Sequence, residues 1–222
     1  IGKVHVQIPD LLVFDEILMV DGEAQGPTQE MLKFIDQSPV NAMIDGFSKG
    51  MNASGNGKLN LNLKIPLRRL DDITVAGSYL FQNNKVMLGE GMPVLDQVNG
   101  ALQFTGSTVA IPNISAQFFG GPAAIKASTQ QDVIQINANG KATAAGLGKA
   151  FPHPMLQRLQ GSANWNGSIT LRKKLANAVF TSNLKGLSSS LPLPFNKAEG
   201  ESVMLRLERK ASVLEQDMVS FN

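Results

Sequence analysis

GALQFTGSTVAIPNISAQFFGGP, residues Gly100 to Pro122, is the stretch that decides the fold. Leu102 and Phe104 alternate with Gln103, the period of two that marks a strand with one apolar face. Thr105-Gly106-Ser107-Thr108 has the small and polar residues of a reversal, with Gly106 free to take a positive φ. Val109 and Ile111 resume the alternation. Pro112 cannot donate to a ladder and is expected to end that strand. Ile114, Ala116 and Phe118 form a third alternating set before Gly120-Gly121-Pro122 stops it. The reading is a β-meander with one greasy face.

Working outward, the same pattern fills most of the chain. Upstream, Leu59, Leu61, Leu63, Ile65 and Leu67 alternate with Lys58, Asn60, Asn62, Lys64 and Pro66. Ile73, Val75, Gly77, Tyr79 and Phe81 continue as the next strand. Asn83-Asn84 reads as a hairpin turn, with Val86 and Leu88 returning. Nearer the start, Val4, Val6 and Ile8 form one strand and Ile17 to Ala24 another. Downstream, Ala123–Ala127 and then Ile134, Ile136 and Ala138 are further strands, followed by Trp165, Ile169, Leu171, Phe180, Leu184, Val203, Leu205 and Leu207.

The period changes in two places. After Gly26-Pro27, Thr28 caps a helix whose Met31, Leu32, Phe34 and Ile35 fall on one side, ended by Ser38-Pro39. A helical turn through Ala42, Met43 and Phe47 comes next, so the helical insertion covers about 27–48. A lesser one covers about 142–159, with an Ala-rich helix over Ala142–Phe151 and a turn over Met155–Leu159. Three segments invite comparison as repeated hairpins: Gly77 to Val86, Gly100 to Val109 and Gly161 to Ile169. Each has a glycine, an aromatic four residues on, a small polar turn and a β-branched return.

A chain of 222 residues can bury a real core. With 17% charged residues and a net charge of +2, it lacks the basic face of a nucleic-acid binder. Zero cysteines exclude a disulfide framework, thiol catalysis and Cys-ligated zinc. No apolar run is long enough to span a bilayer as a helix. The chain begins at Ile1 and stops within an alternating pattern, which reads as a piece of a longer protein.

Residues able to do chemistry are scattered. His5 lies on the polar side of a strand and His153 between prolines; both read as solvated, so no metal or general base is expected. Gly55-Asn-Gly57-Lys58 lacks the upstream glycine and the Ser or Thr of a phosphate loop, and a strand comes after it. Ser188-Ser189-Ser190 has no nucleophile elbow and reads as a turn or strand edge. Asp71-Asp72, placed on a strand, would point to opposite faces. Arg172-Lys173-Lys174 reads as a solvated hairpin tip, with a rim contact to lipid phosphates as the sharper alternative. No catalytic residue, metal site or cofactor is expected.

Several segments, taken in order, resemble the AsmA-like family and in particular its YhdP branch. They are Val6-Gln-Ile-Pro-Asp10, Gly26-Pro-Thr28 with its helix and Ser38-Pro39, Ile65-Pro-Leu67, Asn99-Gly-Ala-Leu-Gln-Phe104 and Phe119-Gly-Gly-Pro122. Leu159-Gln-Gly161 with Trp165, and Gly186-Leu-Ser-Ser-Ser-Leu-Pro-Leu-Pro-Phe195, complete the set.

The resemblance implies an internal fragment of a bacterial envelope protein, anchored in the inner membrane of a Gram-negative cell and crossing the periplasm. Its fold would be mainly β: a long antiparallel meander curled into a taco-like groove, with a few short helices, residues 1–222 forming one continuous segment. The groove would carry phospholipid acyl chains between inner and outer membrane, and contact with the membranes would fall to other parts of the protein. Its lining would be Leu59, Leu61, Leu63, Ile65, Val75, Tyr79, Phe81, Val86, Leu88, Leu102, Phe104, Val109, Ile111, Ile114, Phe118, Ile134, Ile136, Trp165, Ile169, Leu171, Phe180 and Leu205.

Residue physics allows more than one cover for such a face. A second sheet, helices, curling of the sheet itself or a ligand would each do. At roughly 0.8 kcal/mol per methylene, an acyl chain of about fifteen methylenes contributes on the order of 10 kcal/mol without polar recognition. A structural periplasmic domain with a closed core uses the same alternation.

Overall fold

Alternation of apolar and polar side chains favours strands that show one face to water. Here it produces strand after strand, each paired to the one before. The computed structural model describes residues 2–12, 14–37, 41, 48–89, 93–131, 133–172, 175–210 and 216–221. Its strands are β1 (Gly2–Gln7), β2 (Ile17–Pro27), β3 (Asn52–Pro66), β4 (Thr74–Met87), β5 (Leu95–Thr105), β6 (Val109–Phe118) and β7 (Gly121–Gln130). The series continues with β8 (Val133–Thr143), β9 (Leu159–Arg172), β10 (Leu175–Ser182), β11 (Leu187–Ser189), β12 (Leu205–Lys210) and β13 (Gln216–Phe221). Twelve of them succeed one another in a single antiparallel sheet, and the short β11 pairs with the start of β9. β1 and β13 form opposite ends of this path, so the sheet is open and is not a barrel.

Register keeps the apolar side chains in line. Val4, Gly22, Leu61, Gly77, Phe104 and Val109 are consecutive cross-strand partners. Further along, Ile111, Ala127, Ile136, Ile169 and Ala178 form a second such row. Direct partners in an antiparallel sheet share a face, so both rows lie on one side. Lys58, Asn60, Asn62, Gln103, Lys126, Asn137 and Asn166 lie on the other.

Three bulges maintain that phase, and two of them correct the sequence reading. Asn83-Asn84 is not a hairpin turn: β4 runs through it, with Asn83 at φ 55° and the register shifting beside Asn84. Pro112 does not end a strand: β6 runs from Val109 to Phe118, with a bulge between Ile111 and Ile114. A third lies in β5 near Gln97, φ 51°. One extra residue turns a two-residue step into a three-residue one, so Phe81 to Asn84, Leu95 to Val98 and Ile111 to Ile114 stay on the same face. Proline fits such a place because a bulged residue has no ladder bond to donate.

The repeat of three hairpins is corrected with them. Only Gly100–Val109 is a hairpin, closed by the Thr105 amide on the Thr108 carbonyl at 2.9 Å. Gly106 does not take a positive φ; its amide bonds the Val75 carbonyl at 3.1 Å instead. Gly161–Ile169 lies wholly within β9. The tight reversal after β6 is Phe119-Gly120, both at positive φ, 53° and 76°, as a two-residue hairpin loop demands.

All described helical structure on the apolar side gathers at one rim of the sheet. Helix α1 (Thr28–Gln37) leaves the end of β2, and α2 (Ala144–Ala150) with a 3-10 turn over Pro154–Arg158 leaves the end of β8. Met31, Leu32 and Ile35 of α1 are half-buried, whereas Phe34 is 55% exposed and leaves the stripe expected of it. Ser38-Pro39 and the turn through Ala42, Met43 and Phe47 lie outside the described residues. At the opposite rim the strands are joined by loops and turns, including a 3-10 turn at Leu70–Asp72 that takes Asp71-Asp72 off any strand.

The start of α1 is tied to the sheet by polar bonds. Thr28 Oγ1 accepts from the Tyr79 hydroxyl at 2.8 Å and from Asn84 Nδ2, which also reaches the Ser54 carbonyl at 3.2 Å. Asn84 Oδ1 accepts from the Gln82 amide at 2.7 Å. Both Asn84 and Thr28 are fully buried. Asn84→Ala strands several of these groups without partners and is expected to cost about 2–3 kcal/mol, read as a lower urea midpoint at unchanged m-value.

Burial raises the Tyr79 phenol above its ordinary value, and the bond to Thr28 opposes this. The folded state therefore disfavours the phenolate. Stability from this group is complete below pH about 10 and is lost as pH rises through the higher folded value. Tyr79 is the single tyrosine, so absorbance titration is expected to show one ionisation, later in the folded than in the urea-unfolded chain.

Candidate functional site: a one-sided apolar sheet

The apolar face is continuous from β1 to β12, but its burial is graded. Toward the helical rim, Leu59, Tyr79, Val86, Val98, Ile114, Ala116, Ala123, Ala142 and Trp165 are buried. Helix α1 covers the first of these through Tyr79, and Leu147 of α2 packs on the group of Ala123, Ala142 and Trp165. Leu184 and Leu187 close over Ala144 and Ala163. Away from the helices the cover thins, with Val75 and Ala127 still buried. Leu61, Leu63, Ile65, Phe104, Val109, Ile111, Ile134, Ile136, Ile169 and Leu171 are all half-buried.

Every residue expected to line a groove, apart from Leu88, lies on this face by register or phase. Leu59, Val75, Tyr79, Val86, Ile114 and Trp165 are its buried members. Phe81, Leu102, Phe118, Phe180 and Leu205 are half-buried, like the open strip. Leu88 lies past the end of β4 and is 43% exposed. It is not brought into the set. Val20, Val98, Ile125 and Ala138 share the face without standing out in the sequence as lining residues.

Sequence reading also misses the way glycines set the height of this surface. On paired positions, Gly77 faces Phe104, Gly140 faces Trp165 and Gly167 faces Phe180. A Cβ on Gly77 would lie 2.6 Å from the Phe104 ring, and one on Gly167 would lie 2.8 Å from the Phe180 ring. The rings thus lie down over bare backbone instead of standing up from it. Such rings protect the glycine backbone, as in aromatic rescue. A signal for this exists, since glycine and aromatic occupy the apolar phase of neighbouring strands.

Side chains expected to be solvated are so placed. His5 Nε2 contacts Gln7 Oε1 at 3.4 Å, and His153 Nδ1 accepts from the Met155 amide at 3.3 Å; both are exposed. Ser188 and Ser189 belong to β11, and Ser190 bonds the Arg158 carbonyl. Lys173 and Lys174 lie outside the described residues. Among the described residues no three His, Asp or Glu side chains are grouped for a metal.

The polar face is dished in two places. One open trough of 710 Å³ is lined by Lys3, His5, Asp21, Glu23, Asn60, Asn62, Ser78 and Gln103, among others, and a second of 360 Å³ by Lys126, Asn137, Asn139, Asn166 and Thr181, among others. Lys58–Glu23 at 2.6 Å and Asn62–Asp21 at 2.5 Å tie neighbouring strands across this side. Lys58 holds the Glu23 carboxyl below its ordinary range. These are cross-strand ties on a wet surface, where such pairs contribute little.

An open antiparallel sheet with a polar back and an apolar face half roofed by helices is a one-sided β-shelf. The chain belongs to the YhdP family, whose profile, described as YhdP protein, matches residues 1–222. It is similar to the "Intermembrane phospholipid transporter YhdP" of Escherichia coli (strain K12), at 24% identity over 202 residues. That alignment covers 87% of this chain and 16% of the relative's length. No solved structure matches.

The glycine–aromatic pairs can be tested by coupling. The heavy atoms nearest to the added methyl of Gly167→Ala are side-chain atoms of Phe180 and Trp165, and the change is expected to destabilise by about 1–3 kcal/mol through overpacking. In a Phe180→Leu background the penalty is expected to fall by more than half. Additive urea midpoints in the double-mutant cycle would dispose of the pairing.

Proposed function

We propose that this segment conducts phospholipids along its apolar face, as part of a longer envelope protein working between inner and outer membrane. One observation carries the reading. The strip from Leu61 to Leu171 is apolar and continuous, half-buried for the most part with Val75 and Ala127 buried within it, and the sheet strands pack on their sequence neighbours, with no second sheet over them among the described residues. A closed core would need that second layer. Membership of the YhdP family and likeness to a protein named as an intermembrane phospholipid transporter support the same reading.

On this proposal the 222 residues act as one continuous segment, with α1 and α2 forming a lip on one side. From β3 to β9 the strip crosses six strand spacings, roughly 29 Å along the sheet. That is room for an extended acyl chain. The transfer is a physical passage, with no catalytic step and no cofactor. The segment would lie in the periplasm. No helix among the described residues is long and apolar enough to cross a membrane. On this proposal, anchoring and contact with the bilayers belong to other parts of a longer protein.

Gentle purification followed by lipid extraction is expected to recover phospholipid with the segment. Leu61→Asp, Phe104→Asp and Ile136→Asp, at half-buried places, are expected to abolish that recovery while leaving the circular dichroism of the sheet in place. In the full-length protein the same changes should stop transport. Absence of lipid from the native segment, together with undiminished transport by folded full-length variants, would sink the proposal.

A further inference from the structure

One polar atom on the apolar face has no partner. Trp165 is 8% exposed, and its indole Nε1 is buried without a hydrogen bond. Its neighbours are Phe118, Phe119 and Phe180, with ring centroids at 5.6, 6.5 and 6.2 Å, together with Leu147 and the alanines of β7 and β8. None of these side chains carries an acceptor other than a ring face, and ring faces accept weakly. A buried N–H left in this state loses its hydration without return.

Its place in the sheet is informative. Cζ2 lies 3.0 Å from where a Gly140 Cβ would stand, and Cζ3 lies 3.3 Å from the corresponding place at Gly167. The indole edge bearing Nε1 therefore lies toward β8, over bare glycine backbone. On one side are the buried alanines beneath α2; on the other, beyond Gly167, the half-buried strip begins at Ile169. Two of the residues packed round the ring lie outside the strands, although the Phe119 carbonyl accepts from the Thr143 amide of β8 at 2.9 Å. Phe119 sits in the two-residue turn, and Leu147 belongs to the seven-residue α2, whose Gly148 has open space around it. An incoming group would reach Nε1 by displacing one of these two side chains.

We infer that Trp165 Nε1 is a polar anchor for the guest, donating to the ester carbonyl oxygen of an acyl chain lying on the strip. The inference rests on the lipid reading above and goes beyond it, because a purely apolar surface would not distinguish an ester from an ether. An acyl carbonyl suits the site: it is satisfied by a single hydrogen bond, bears no charge and continues directly into an apolar chain. The passing lipid would be registered at one point on an otherwise featureless surface.

Trp165 is the single tryptophan of the chain, so its indole N–H gives one side-chain resonance. Titration with a short-chain diacyl phosphatidylcholine is expected to move that resonance downfield, whereas the dialkyl ether analogue leaves it nearly in place. The native chain should bind the diester about tenfold more tightly than the diether, the worth of one hydrogen bond. Trp165→Phe should bind both with the affinity the native chain has for the diether. Equal native affinities with an unmoved indole resonance would overturn the anchor and leave lipid conduction standing. An ester preference that survives in folded Trp165→Phe would do the same. A shift produced by palmitate and not by the diester would overturn the ester assignment. Failure of both phospholipids to bind would remove the lipid reading and the anchor together.

Discussion

A strand alternates faces every residue, and this structure depends on keeping that alternation in phase across twelve strands. A slip of one residue would turn a row of leucines and isoleucines into water. The turns do not guarantee against it, because the strands are long. β3 has 15 residues and β4 has 14, and sheets twist, so pairs drift. The bulges at Gln97, Asn83-Asn84 and Pro112 absorb the drift by single-residue insertions. Asn84 secures its bulge most firmly, since it bonds β3, β4 and α1 at once.

Phase alone would leave the two rims alike, and the connections between strands make them differ. Among the described residues the turns after β2 and β8 have grown α-helices and the others have not, so the helices roof one rim. The opposite rim is nevertheless held: Leu67 donates its amide to the Glu16 carbonyl at 2.9 Å, and Arg68 bonds the Glu16 carboxylate at 3.1 Å, which lowers that carboxyl's pKa. Leu11, Leu12 and Phe14 remain exposed beside it, with the Arg68 guanidinium 4.6 Å from the centre of the Phe14 ring. Polar bonds fix the loops, and apolar contacts are left over on both the rim and the strip.

Much of this is legible in the sequence, and the part that is not has a common cause. Leu59 through Leu67 and Ile134 through Ala138 give their strands at sight, because side chains two apart share a face whatever their neighbours do. Asn83-Asn84, Pro112 and Asn166-Gly167-Ser168 read as turns or ends, because asparagine, proline and glycine serve turns most often. Which role they take is decided by the adjacent strand. Asn84 is buried because α1 comes down on it, and Gly167 stays in line because the Phe180 ring fills its missing side chain. Register is not a local property, so neither fact is written in the residues beside it. The spacing itself holds a clue, since apolar positions three apart within a run of twos mark a bulge and not a break.

The glycine–aromatic pairs connect this to function. On the proposed function, a sheet presenting a smooth apolar surface faces two opposite hazards, bare glycine backbone and tall rings that would obstruct passage. Laying Phe104 on Gly77 and Phe180 on Gly167 removes both, because the ring supplies the cover that the glycine lacks and loses its own height in doing so. The surface that results would grip through area and not through shape, which suits the proposed passage of lipid along it. Tyr79 and Trp165 depart from that rule by bringing polar atoms onto the face. Tyr79 is accounted for by Thr28, and α1 is pinned as a consequence. Trp165 Nε1 has no such partner among the described residues, and it stands where the roofed half of the face gives way to the open strip.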